Sequence, residues 1–202
     1  MIHLPNNPVS QYYRKQTEES FEKFGYSVIP FEGSTPETMG DEIQFGIKDN
    51  GGAKSVIREF TPTEKAIWHS NYRLWKKCVE LDEPIIVIEH DSLLVMDFDR
   101  NDFQQMDVGV LSTKPRMYGF QEGERDWVPT CGSGYFIRPK AAKVMLDLDR
   151  WKVDCNSDGH ILRCMIGMVG LKNLFAKAHI RHNYDPEIGS TIDHKHDDMK
   201  IV

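Results

Sequence analysis

Residues 61–88 constrain this chain more than any others. Thr61-Pro62-Thr63-Glu64 is a strong helix start. The Thr61 hydroxyl can cap the first turn, Pro62 suits the first helical position, and Glu64 lies three residues beyond the cap. Ile67, Tyr72, Trp75 and Val79 then carry an apolar stripe, widened by Trp68, Leu74, Cys78 and Leu81. A helix with so broad an apolar face must pack against something. Asp82-Glu83-Pro84 stops it, and Ile85-Ile86-Val87-Ile88 follows at once. A continuous β-branched run suits a central strand covered on both faces. A long helix feeding into such a strand predicts an α/β protein.

The flanking segments extend the pattern. Residues 1–4 can form a short strand, broken by Asn6, Asn7 and Pro8. Ser10 is a candidate cap for a helix that carries Tyr13, Thr17, Phe21 and Phe24 and ends at Gly25. Residues 26–31 read as a second strand, and 33–52 as a loop or insertion with Gly51-Gly52 as a turn signal. Strands are expected at 93–98, 108–111, 135–137 and 174–180, and helices from Pro139 to about Leu148 and over 158–168. Residues 117–129 read as an aromatic, glycine-rich loop, and a polar tail is expected from about residue 182. The expected fold is one compact α/β domain over 1–202, with a Rossmann-like, mostly parallel central sheet flanked by helices.

Composition narrows the function. Lys and Arg total 25 against 31 Asp and Glu, a formal charge of −6. No broad basic field announces nucleic acid or an anionic membrane. Cys78, Cys131, Cys155 and Cys164 include no CxxC pair, so neither a cysteine-rich zinc site nor a cystine scaffold is indicated. The start of the chain lacks a signal-peptide pattern, and the aliphatic runs are far too short to span a bilayer. The expectation is a cytoplasmic protein.

Glu89-His90-Asp91 follows the β-branched run directly. In open α/β sheets ligands bind beyond the carboxyl ends of strands. Hard divalent cations prefer carboxylate and phosphate oxygens. Asp91 is the first candidate metal ligand, and Glu89 can bind metal through water or contact a ribose. His90 can support them or point away. A plain turn is the competing reading. His69 can bond a phosphate or sugar, or be a satisfied helix histidine; Trp68 and Trp75 read as core. Leu4, Asn6 and Ser10 after the first strand can hold a nucleotide, or simply form a turn and cap. Thr61 joins the nucleotide-side candidates, as does Ser133 in Cys131-Gly132-Ser133-Gly134, where glycines permit close backbone approach. Asp158 can deprotonate a hydroxyl. His179 and His182 are further metal-ligand candidates, whereas His194 and His196 read as surface tail.

Taken in order, several segments resemble glycosyltransferase family 25, which includes lipopolysaccharide and collagen galactosyltransferases. They are the strand and loop at 2–10, the run from Thr61 to Ser70 with Trp75 following, and Glu83 through Asp91, similar to the family's strand leading to a Glu-Asp-Asp motif. Gly134-Tyr135-Phe136-Ile137 before Lys140-Ala141-Ala142, Asn156-Ser157-Asp158, and Ile188 to Ile192 complete the series. The resemblance implies a GT-A fold, a UDP-sugar donor, a divalent cation (Mn2+, or Mg2+) and inverting transfer of a hexose, galactose or glucose. It implies Asp91 as the metal-binding acid and Glu89 as the motif's first acid. On that reading Asp158 becomes the acceptor-activating base. His90 departs from the motif's middle acid. The acceptor is a hydroxyl on a glycan or a modified nucleobase. Two other readings remain open: a non-catalytic nucleotide-sugar or glycan-binding protein of this fold, and a metal-dependent phosphoesterase.

Overall fold

The computed structural model describes residues 1–49, 57–104, 107–111, 134–149, 152–157, 159–161, 180–183, 185 and 187–188. Strand β1 (Ile2–His3) leads into helix α1 (Pro8–Glu22). Asn7, not Ser10, caps α1: its side-chain oxygen accepts the Ser10 N–H at 3.0 Å, and Pro8 opens the helix. Ser10 sits inside the first turn, where its buried hydroxyl accepts the Leu4 N–H at 2.8 Å. Gly25 then turns the chain with φ +80°, a conformation that costs glycine little. Of the expected strand over 26–31 only Phe31 enters a ladder: β2 (Phe31–Glu32) pairs parallel to β1 with Ile2 opposite Phe31.

Strands β3 (Lys48–Asp49) and β4 (Ile57–Arg58) form an antiparallel pair ahead of helix α2 (Pro62–Leu81). The full capping box predicted at Thr61 and Glu64 is present. The helix ends on Asp82 in a left-handed conformation, φ 51°, which aspartate tolerates better than most residues. Strand β5 (Ile85–Ile88) follows, then β6 (Ser92–Leu94), helix α3 (Arg100–Gln104), β7 (Val108–Val110), β8 (Gly134–Ile137), helix α4 (Pro139–Met145) and β9 (Ile180–His182). Helical backbone recurs at 157 and 159–161. Among the described residues, no helix is long and apolar enough to cross a membrane.

The sheet order is β5-β8-β7, antiparallel throughout. On the other side of β5, Glu89 forms a parallel bridge to Ile2, which brings β1 and β2 alongside. β6 pairs antiparallel to β9. The mixed α/β class is therefore as expected, but the mostly parallel sheet is not. Among the described ladders only β1–β2 runs parallel. A β-branched run specifies a buried strand, not the direction of its neighbour, and here the neighbour β8 arrives from much later in the chain.

β5 is covered on both faces. Ile85 and Val87 join a cluster with Trp68, Trp75 and Cys78 of α2 and Ala141, Ala142 and Met145 of α4. Ile86 and Ile88 join a second cluster with Phe21 of α1, Leu94, Phe98, Leu111 and Ile180. β8 alternates the same way, Tyr135 and Ile137 to one side and Phe136 to the other. This period-two sorting makes the run a spine between two helical layers. Trp68 and Trp75, at 1% and 0% exposed, are core as predicted. The Trp75 indole donates to the Tyr135 hydroxyl at 2.9 Å, and that hydroxyl donates to Asn71 Oδ1 at 2.8 Å, so the buried polar tips are satisfied.

Candidate functional site

Glu89, His90 and Asp91 stand at the carboxyl end of β5, and the backbone turns back there. The Ser92 N–H reaches the Glu89 carbonyl at 3.3 Å, so Glu89 to Ser92 is a four-residue turn leading into β6. The turn reading and the site reading thus describe the same geometry: a half-buried acidic turn beyond the end of a buried strand.

Helix α1 grips this turn. The Thr17 hydroxyl donates to the His90 carbonyl at 2.5 Å. The His90 ring lies 6.3 Å from the Tyr13 ring, so the residue that departs from the acidic motif turns toward α1. Ser20 accepts the Leu94 N–H at 3.0 Å, fixing the end of β6 to the same helix face. From the other side, the Asn183 N–H donates to the Asp91 carbonyl at 2.7 Å. Asn183 also donates to Gln16 Oε1 at 2.6 Å, and the Tyr13 hydroxyl exchanges hydrogen bonds with the Asp185 backbone. The β6–β9 register sets His182 opposite Ser92. That places one predicted metal-ligand histidine beside the turn along the backbone.

The first-strand candidates divide. The Leu4 N–H is taken by Ser10, and the Leu4 carbonyl accepts from Asn7 N at 3.1 Å and Gln11 Nε2 at 3.2 Å. Ser10 is fully buried, whereas Asn6 faces solvent. Beside them on β1, burial and then Arg14 lower the pKa of His3. Thr61 is engaged in its capping box. Ser133, Asp158 and His179 lie outside the described residues.

His69 is 5% exposed, and both ring nitrogens are engaged. Nδ1 and the Ser34 hydroxyl are 2.7 Å apart; Nε2 lies 3.1 Å from Glu42 Oε1 and 3.3 Å from the Gly40 nitrogen. Arg73 also donates to Ser34 at 3.2 Å while its guanidinium covers the Phe31 ring. As folded, His69 fastens the 33–42 loop to α2. The Glu42 carboxyl is lowered by its own backbone N–H, against burial, with a further contribution from His69.

A second polar cluster sits at the start of α2. Glu64 pairs with Lys48 and takes two hydrogen bonds from Arg58, at 2.7 and 2.8 Å. Burial alone would raise Glu64, but the bonds from Arg58, Lys48 and the Thr61 backbone outweigh it and bring the pKa down to about 2. Burial raises the Cys78 thiol to about 11, which makes it inert as a nucleophile. A separate cleft of about 640 Å³ opens between Glu42 and 44–47 on one side and 148–149 with 152–154 on the other. Its walls include Glu42, Phe45, Asp149, Lys152 and Asp154, and none of the acidic-turn residues.

Among the described residues, no group of three or more His, Cys, Asp or Glu is arranged to hold a metal ion. Glu89 and Asp91 nonetheless offer hard oxygen donors at one turn. That donor set suits a cation held by one or two carboxylates and completed by ligand phosphates, rather than one caged by protein alone.

The sequence reading missed the grip of α1 and residues 183–185 on the turn, and the Ser34–His69–Glu42 chain. Thr17 and Tyr13 carried only an apolar-stripe signal, and Ser34, Glu42, Asn183 and Asp185 carried none.

The described residues define a mixed α/β protein with an acidic turn beyond a buried strand. The model of glycosyltransferase family 25 (LPS biosynthesis protein) matches residues 9–112, from α1 through β7 and including the acidic turn, and the chain belongs to that family. It is a glycosyltransferase. No curated protein matches the chain.

Proposed function

We propose that this glycosyltransferase moves a hexose, galactose or glucose, from a UDP-sugar to a hydroxyl acceptor with inversion at the anomeric carbon. The observation that carries the proposal is the acidic turn, which stands inside the family match and at the carboxyl end of β5. β1 and the end of β5 run parallel where Ile2 bridges Glu89, and ligands of parallel α/β sheets collect beyond such strand ends.

The donor diphosphate then lies beside the turn, with the exposed Asn6 on the neighbouring β1 loop available to the nucleotide. Glu89 and Asp91 would hold Mn2+ or Mg2+, which neutralises charge on a departing diphosphate. Asp158 takes the proton of the acceptor hydroxyl as that oxygen bonds to the anomeric carbon. The bond from that carbon to UDP breaks on the opposite face, and UDP leaves with its electron pair. The acceptor is a hydroxyl on a glycan or a modified base.

The test is a panel of nucleotide sugars with and without Mn2+, read by mass spectrometry as UDP release to water and transfer to glycan acceptors. One UDP-hexose is expected to turn over in a Mn2+-dependent way, and Asp91→Ala to abolish it. Full activity in that variant removes Asp91 from the site. Asp158→Asn is expected to lower kcat by about 100-fold or more with donor affinity little changed, the range of general-base catalysis. An unchanged kcat removes Asp158 as the base.

A further inference from the structure

We propose that Thr17 is a positioning residue for the acidic turn, acting with the Asn183 backbone N–H. The proposal rests on the donor-site reading of Glu89 and Asp91 and adds how their carboxylates are held. The two central residues of a turn lie outside the strand ladders on either side. Here both of their carbonyls are fixed from elsewhere: Thr17 donates to His90, and Asn183 N–H donates to Asp91. The preceding residue, Glu89, is fixed by its bridge to Ile2. Three consecutive residues are thus tied to α1, β1 and the segment after β9.

Thr17 is 0% exposed in the middle of α1. A buried helical threonine commonly returns its hydroxyl to a carbonyl of its own helix. This one gives it to a carbonyl 73 residues away in sequence. Removing a group that orients a metal-binding residue typically costs about 10–100-fold in affinity or activity. Exchanging the hydroxyl for a methyl keeps the shape and removes the bond.

The experiment compares the full-length wild type, Thr17→Val, Thr17→Ser and Asp91→Ala. Calorimetry measures UDP affinity with and without Mn2+, and hydrogen exchange follows peptides covering 88–94. Thr17→Val is expected to weaken Mn2+-dependent UDP binding by about tenfold or more. Its turn amides should exchange faster, with Thr17→Ser restoring both. A folded Thr17→Val that matches the wild type in both readouts overturns the proposal. Should Thr17→Val not fold, Asn183→Pro replaces it. That change removes the N–H, while Asn183→Ala keeps it and serves as the control; equal UDP affinity in the two overturns the proposal. Asp91→Ala separates the levels. If it binds UDP and Mn2+ like the wild type, the donor-site reading fails and the positioning role falls with it. If it loses binding while Thr17→Val keeps it, only the positioning role fails.

Discussion

Glu64 carries three jobs with one carboxylate. It closes the α2 capping box, accepts both arms of Arg58 and pairs with Lys48, whose side chain is only 7% exposed. Its folded pKa of about 2 lies below the ordinary 4.5. A depressed carboxyl contributes stability that is fully present above the unfolded value and disappears as pH falls through the folded one. Urea unfolding should therefore show stability falling from about pH 4.5 down to about pH 2. Glu64→Gln should be less stable at pH 7 and lose much of that slope. An equally steep acid limb in the variant would assign the effect to other carboxylates. His69 teaches a related lesson. Its sequence position on α2 allows a ligand contact, yet the ring is engaged by Ser34, Gly40 and Glu42, which come from a loop that carries no motif. A histidine's partners are set by tertiary contacts, so the residue alone leaves the choice open.

At the scale of elements, legibility followed how local the determining forces are. α2 was readable end to end because its start lies in four consecutive residues and its stop in three. β5 was readable because four β-branched residues in succession suit a doubly covered strand. The cap of α1 was misplaced on Ser10. The better cue was Pro8, whose preference for the first helical position points back to Asn7. Strand direction was not legible, because β8 and β9 come from distant stretches. Those late strands meet closely. A Cβ added at Gly134 would fall inside contact distance of Ile180 Cδ1, with Ile88 Cγ2 3.5 Å away. Gly134→Ala should cost about 1–3 kcal/mol through overpacking. Adding Ile180→Val, which removes the offending methyl, should recover part of that loss. A double-mutant cycle by chemical denaturation checks the coupling, and strictly additive losses would contradict the contact.

For the whole molecule, the acidic turn is where the parts of the chain meet. β1 and α1 from the beginning, β5 and β6 from the middle, and β9 with its following residues all touch it or its flanks. The sequence showed the carboxylates, since they follow the plainest strand in the chain. It did not show what steadies them, because hydroxyls and backbone amides carry no compositional signal. The enzyme class was legible through the ordered motifs.

The weave of the last strand has a bearing on synthesis. Ile180 N–H bonds to Leu111, Asn183 N–H to Asp91, and Asp185 to Tyr13. A nascent chain on the ribosome can present its family-matched stretch while the turn still lacks one of its two outside anchors. Domains fold as units during translation, and distant pairings form late. The acidic turn therefore gains its second outside anchor only after residue 183 has emerged, so a half-made chain carries the motif before the turn is held from both sides.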